Sequence, residues 1–152
     1  MKLRLSPRAL VAIAALSCAI FFSGCAVSFV APYDETTDHL LTDLSQKTET
    51  AVVRADAGQL SAEDREKFYS DSLGTVRMLK ARSTLFAKNE DETSALGTLE
   101  ENYDALSKRG APPRSSLTIG LRRSLLALQQ IQIAKKRSSI FSAGLKKTSS
   151  SP

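Results

Sequence analysis

Leu96-Gly97-Thr98-Leu99-Glu100-Glu101-Asn102-Tyr103-Asp104-Ala105-Leu106-Ser107-Lys108-Arg109-Gly110-Ala111-Pro112-Pro113 is the stretch that decides the fold class. Leu96, Leu99, Tyr103 and Leu106 recur at three- and four-residue intervals, which is the helical period. Lys108 and Arg109 suit the negative end of a helix dipole, Gly110 suits a C-terminal cap, and Pro112-Pro113 cannot continue the helix. A helix from about Glu92 to Lys108 with a hard stop is expected.

The same period extends in both directions. Tyr33, Leu40, Leu41, Leu44, Thr48, Ala51 and Val52 predict a helix over about Tyr33–Ala57, bounded by Pro32 and Gly58. Asp34, Glu35 and Asp38 crowd its positive end. Ser61-Ala62-Glu63-Asp64 resembles a capping box and opens a second helix that should run to about Asn89. Its buried stripe is Phe68, Tyr69, Leu73, Val76, Leu79 and Phe86. Gly74 lies inside it at a cost of about 1 kcal/mol relative to Ala, the kind of glycine tolerated for close helix packing. Ser115 or Ser116 should cap a fourth helix that continues to about Arg137, and residues 138–152, rich in serine, read as a disordered tail. Four amphipathic segments, short connections and no strand signal argue for an all-α, up-down-up-down four-helix bundle over residues 33–137. A pair of helical hairpins completed by a second copy, a homodimer, is the alternative.

The fourth segment is apolar on two sides. At about 100° per residue, Leu117, Leu121, Leu125, Leu128 and Ile131 share one face, and Ile119, Leu126 and Ile133 fall nearly opposite. Either this helix is the most enclosed of the four, or Ile119, Leu126 and Ile133 form a partner-binding or dimer stripe rimmed by Arg123 and Arg137. An exposed Leu126 favours the stripe, and a buried one excludes it.

Ahead of the bundle, Lys2, Arg4 and Arg8 precede an apolar run of 14 residues, Ala9–Phe22. That matches a secretory leader and falls short of the roughly 20 residues of a spanning helix. Phe22-Ser23-Gly24-Cys25 resembles the lipobox that ends a bacterial lipoprotein leader, with Phe22 where leucine is usual. The resemblance implies cleavage after residue 24, a lipid on the Cys25 thiol and acylation, typically palmitate, of the new amino terminus. Two or three such chains hold a protein to a membrane almost permanently, at about 0.8 kcal/mol per buried CH₂. Ala26 at the sorting position implies the outer membrane, facing the periplasm. Residues 25–32 are then a lipidated tether. An uncleaved signal anchor over the charge-free stretch from Ala9 to Ala31 is the competing reading.

Cys18 would leave with the leader and Cys25 would carry lipid, so the mature domain has no thiol for a disulfide, a metal or a nucleophile. It retains 128 residues, enough for one domain with a sizeable core. Charge is segregated. Residues 25–104 carry sixteen acidic and eight basic side chains, whereas residues 105–152 carry ten basic ones and no acid. The halves can compensate internally, or the basic part, with Arg122, Arg123, Lys135, Lys136 and Arg137, can meet anionic lipid or glycan. Nucleic acid is not expected, because no aromatic residues interleave with the basic ones.

No catalytic or cofactor constellation is legible. His39 is the single histidine; with Glu35 and Asp38 it makes a good first helical turn rather than a metal site. Glu100, Glu101 and Asp104 read as solvated charge. There is no phosphate loop, no nucleophile elbow and no tryptophan for sugar stacking, so an enzyme is not expected.

Tyr33-Asp34-Glu35, Asp38, Lys88-Asn89, Thr93 and Ala134-Lys135-Lys136 together resemble a group of small, mostly uncharacterised proteobacterial envelope lipoproteins. The resemblance spans about residues 25–137 and implies helical structure and an envelope location, with no activity attached. Two functions remain as expectations: a tethered protein that docks an envelope protein partner, and a binding module for anionic envelope material.

Overall fold

The computed structural model describes residues 31–149, with side chains through Phe141. The leader, the Cys25 lipobox, the first part of the tether and residues 150–152 lie outside the described residues. Four helices follow one another: α1 (Glu35–Asp56), α2 (Ala62–Ser83), α3 (Glu90–Lys108) and α4 (Ile119–Ser149). Each packs against its neighbours in the chain, and α4 closes back on α1, which makes an up-down four-helix bundle.

One spacing rule organises the core. Buried positions run Thr37, Leu41, Leu44, Thr48, Ala51, Ala55 on α1, with Val52 buried beside that series, and Tyr69, Ser72, Val76, Leu79, Ser83 on α2. They run Glu92, Leu96, Leu99, Tyr103, Leu106 on α3 and Leu121, Leu125, Leu128, Gln132, Lys135 on α4. All four series alternate steps of three and four residues. That seven-residue period gives a narrow seam on each helix and favours helices crossing at about 20°, as in most bundles.

The ends follow from local chemistry. Asp34 caps α1, accepting from the Thr36 amide at 3.2 Å and the Thr37 hydroxyl at 2.7 Å. Ser61 caps α2 as expected, through the Asp64 amide at 3.0 Å. Gly58 and Gly110 take positive φ (69° and 59°) where the chain leaves α1 and α3, a conformation that costs other residues about 1–2 kcal/mol.

Three expected boundaries are corrected. α2 stops at Ser83 rather than near Asn89, because side chains satisfy its last carbonyls: Thr84 Oγ1 donates to Ala81 O at 2.7 Å and Asn89 Nδ2 to Ser83 O at 3.0 Å. Phe86 therefore sits in a turn, half-buried, and Leu85 is exposed. α4 begins at Ile119 instead of next to Ser115, since the Ser115 hydroxyl and amide are spent on Asp56, and Leu117 is exposed ahead of the helix. At the other end α4 continues through Ser149, where a disordered tail was expected after Arg137. No proline interrupts residues 138–151, and Lys, Ala and Leu among them favour helix.

Gly74 also departs from expectation. A Cβ there would meet nothing within 4 Å, so close packing does not require it. Gly74→Ala should raise stability by about 0.5–1 kcal/mol, read as a higher denaturant midpoint at unchanged slope.

Burial pushes both Tyr103 and Tyr69 up to about 12; nearby Thr48 and Ser72 hydroxyls oppose the shift at Tyr103, and Arg65 opposes it at Tyr69. The folded state thus holds these protons more tightly than the unfolded chain, whose tyrosines titrate near 10. Their stabilising contribution is complete below about pH 10 and is lost as pH rises toward 12. Urea midpoints measured across that window should fall, and Tyr103→Phe should flatten the fall.

Candidate functional site

At one end of the bundle the chain enters from the tether and four elements converge. Asp34, capping α1, accepts two hydrogen bonds from Arg82 on the last turn of α2, one of them at 3.1 Å. The Arg82 guanidinium, helped by the Thr37 hydroxyl, holds the Asp34 carboxyl below its usual range despite partial burial. Tyr33 donates to Asp38 Oδ2 at 2.7 Å, and Lys136 Nζ stands 5.3 Å from the Tyr33 ring centre, a cation–π contact. The first described residues are therefore pinned beside α4 at Lys136.

Directly inside this end lies a buried polar network. Lys135 on α4 bonds to Glu92 Oε2 and Asn89 Oδ1. Gln132 Nε2 reaches the same Glu92 oxygen, and Asn89 Nδ2 lies 3.4 Å from the other. Glu92 is 2 % exposed and Lys135 4 %. Gln132 Oε1 has no hydrogen-bond partner among the described residues. The network ties the turn after α2 and the first turn of α3 to α4. The apolar pattern of the sequence assigns neither Lys135 nor Glu92 to the core. Continuing the three-four series past Leu128 leads to Gln132 and Lys135, whereas apolarity alone leads to Ile131, which is only half-buried. Period was the signal, and polarity hid it.

Lys135 is accordingly removed from the surface that was expected to meet anions. Arg122 is engaged too, forming a forked pair with Glu49 on α1 whose Nε···Oε1 distance is 2.8 Å. Arg123, Lys136 and Arg137 remain exposed, and Arg123 and Arg137 form no salt bridge among the described residues. Part of the charge segregation is thus compensated across helices.

The outer face of α4 carries the expected stripe. Ile119, Leu126 and Ile133 are 52 %, 56 % and 49 % exposed, while Leu121, Leu125 and Leu128 on the opposite face are buried. The exposed three are seven residues apart, hence about 10 Å apart along the helix, with Arg123 and Arg137 alongside. Helix four is amphipathic, its outer stripe exposed to solvent, and is not enclosed on all sides.

Other candidates are weaker. Glu100 is held by Arg77 Nε and Lys80 Nζ, both at 2.9 Å, and these cations lower its pKa; it bridges α3 to α2 and is not free solvated charge. Asp104 pairs with Lys108 at 2.6 Å. His39 is exposed, 3.7 Å from Glu35, and no group of three or more His, Cys, Asp or Glu side chains among the described residues could hold a metal ion. A groove of about 720 Å³ runs between α1 and α2 over Leu40, Leu44, Leu60 and Phe68, bridged by Arg54–Asp64 and Lys47–Asp71. No helix among the described residues is long and apolar enough to cross a membrane. No family model, curated protein or solved structure matches the chain.

Proposed function

We propose that the chain is a non-enzymatic, lipid-anchored envelope protein that holds a protein partner at the periplasmic face of the outer membrane, using the outer face of α4. The observation that carries this reading is the solvent exposure of Ile119, Leu126 and Ile133 on a helix whose other side is core. Three large aliphatic side chains in a line are the contacts an amphipathic partner helix uses, and exposed apolar patches on soluble domains mark interaction sites. The basic flank and the absence of any acid after Asp104 favour a partner with acidic residues beside its apolar stripe. The same charge disfavours a symmetric α4–α4 homodimer, which would set Arg123 and Arg137 against their own copies. The lipobox resemblance at Cys25 supports the anchor.

Site-specific photocrosslinking in intact membranes tests the docking face. A crosslinker at Leu126 or Ile133 should yield one discrete protein adduct that persists at raised ionic strength, and one at Met78, equally exposed on α2, should yield none. Equal labelling from both positions would overturn the reading. The second reading, binding of anionic lipid or glycan through Arg123, Lys136 and Arg137, predicts instead that association weakens steeply with salt.

A further inference from the structure

Past Lys135 the described side chains of α4, Lys136 through Phe141, are all exposed. Lys135 is the last buried residue of its seam among the described side chains, and the helix runs on to Ser149, about 20 Å farther at 1.5 Å per residue. Ile140 and Phe141, in the first turns of that overhang, are 66 % and 70 % exposed. Ile140 lies seven residues beyond Ile133 and so falls on the same side of the helix. Lys136 and Arg137 stand beside them, and Lys146 and Lys147 follow in the sequence with no acid among residues 105–152.

The position of this overhang matters as much as its composition. The described chain begins at Ala31 and is pinned at Tyr33 beside Lys136, so the tether leaves the bundle at the root of the overhang. Five residues lie between Cys25 and Ala31, so six residue steps span at most about 20 Å of extended chain. An acyl group on Cys25 would therefore hold the overhang within reach of the bilayer surface. Large apolar side chains flanked by cations are what an interfacial helix presents to anionic headgroups, and each cation near such a surface adds to the attraction.

We infer that the overhang of α4 is a second membrane contact: Ile140 and Phe141 enter the headgroup region of an anionic lipid surface while Lys136 and Arg137 meet its phosphates. This rests on the lipid-anchor reading proposed above. Docking at this end sets the tether end of the bundle against the membrane and leaves the Ile119–Ile133 stripe rising away from it. The lysines and arginines make the contact sensitive to lipid charge, which the acyl chains alone are not.

The chain contains no tryptophan, so one introduced residue is a unique reporter. The acylated full protein carrying Phe141→Trp is reconstituted on phosphatidylcholine vesicles with and without phosphatidylglycerol, each with brominated acyl chains. Val53→Trp, exposed at the opposite end of the bundle, and Leu126→Trp serve as comparisons. The expected result is blue-shifted, bromine-quenched emission at position 141, stronger with phosphatidylglycerol and reduced by salt, with no quenching at 53 or 126. Unquenched emission at 141 on protein that co-sediments with the vesicles overturns the inference and leaves the anchor standing. A mass lacking the acyl groups overturns the anchor and the inference together. Quenching at 126 as well as 141 upholds the membrane contact and overturns the docking face instead.

Discussion

Lys135→Ala should cost about 3–5 kcal/mol of unfolding free energy, the largest loss expected from a single substitution in this bundle, and Glu92→Ala should cost nearly as much. Each removes one member of a pair that is almost wholly buried and leaves the other charge in the core; Lys135→Ala also takes the partner of Asn89 Oδ1, and Glu92→Ala that of Gln132 Nε2. Native domains have only about 5–15 kcal/mol to lose, so either variant should unfold at markedly lower urea. The double variant Glu92→Leu, Lys135→Met should recover most of the loss, because removing both charges also removes the desolvation that each one suffers. A double variant as unstable as the singles would mean that the pair supplies net stability. Recovery of stability together with broadened amide resonances would mean that the pair's contribution is to set the register of α4 against α3.

The second large effect contrasts two leucines on one helix. Leu128→Ala should destabilise by about 2–5 kcal/mol, since Leu128 is completely buried among the core residues of the bundle. Leu126→Ala, two residues earlier and 56 % exposed, should change stability by no more than about 0.5 kcal/mol. In the photocrosslinking assay the ranking reverses: the stable Leu126 variant should lose its partner. Denaturant melts of both variants beside that assay separate folding from docking. Comparable destabilisation by the two substitutions would place Leu126 in an interface that forms with another copy of the chain in solution.

Asp34 adds a smaller, pH-dependent element at the tether end. Its carboxyl is held below the usual range by Arg82, so its contribution is complete above the ordinary carboxylate pKa and is lost as pH falls beneath it. Arg82 lies on α2 and Asp34 caps α1, so acidification loosens the attachment of the first helix where the chain emerges.

Much of the architecture was legible from periodicity. Leu96, Leu99, Tyr103 and Leu106 in three-four steps, followed by Gly110 and Pro112-Pro113, specify a helix and its end, because spacing and turn chemistry are local properties. The caps at Ser61 and the stop at Gly58 are local for the same reason. The exposed stripe on α4 was also legible as a geometric fact, although the sequence left open which of its two apolar faces would be covered.

What the amino-acid order alone determined was therefore four helical segments, their approximate order of packing, and a segregation of acidic from basic residues. Tertiary structure alone decided three things. It chose the Leu121–Leu125–Leu128 face of α4 for the core and left Ile119, Leu126 and Ile133 to solvent. It buried Lys135 and Gln132, because Glu92 and Asn89, 40 to 46 residues away, supply partners that no local pattern reveals. It also withdrew Ser115 from capping by spending it on Asp56. In each case the deciding partner is distant in the chain, and burying a polar group is tolerable only once that partner is in place.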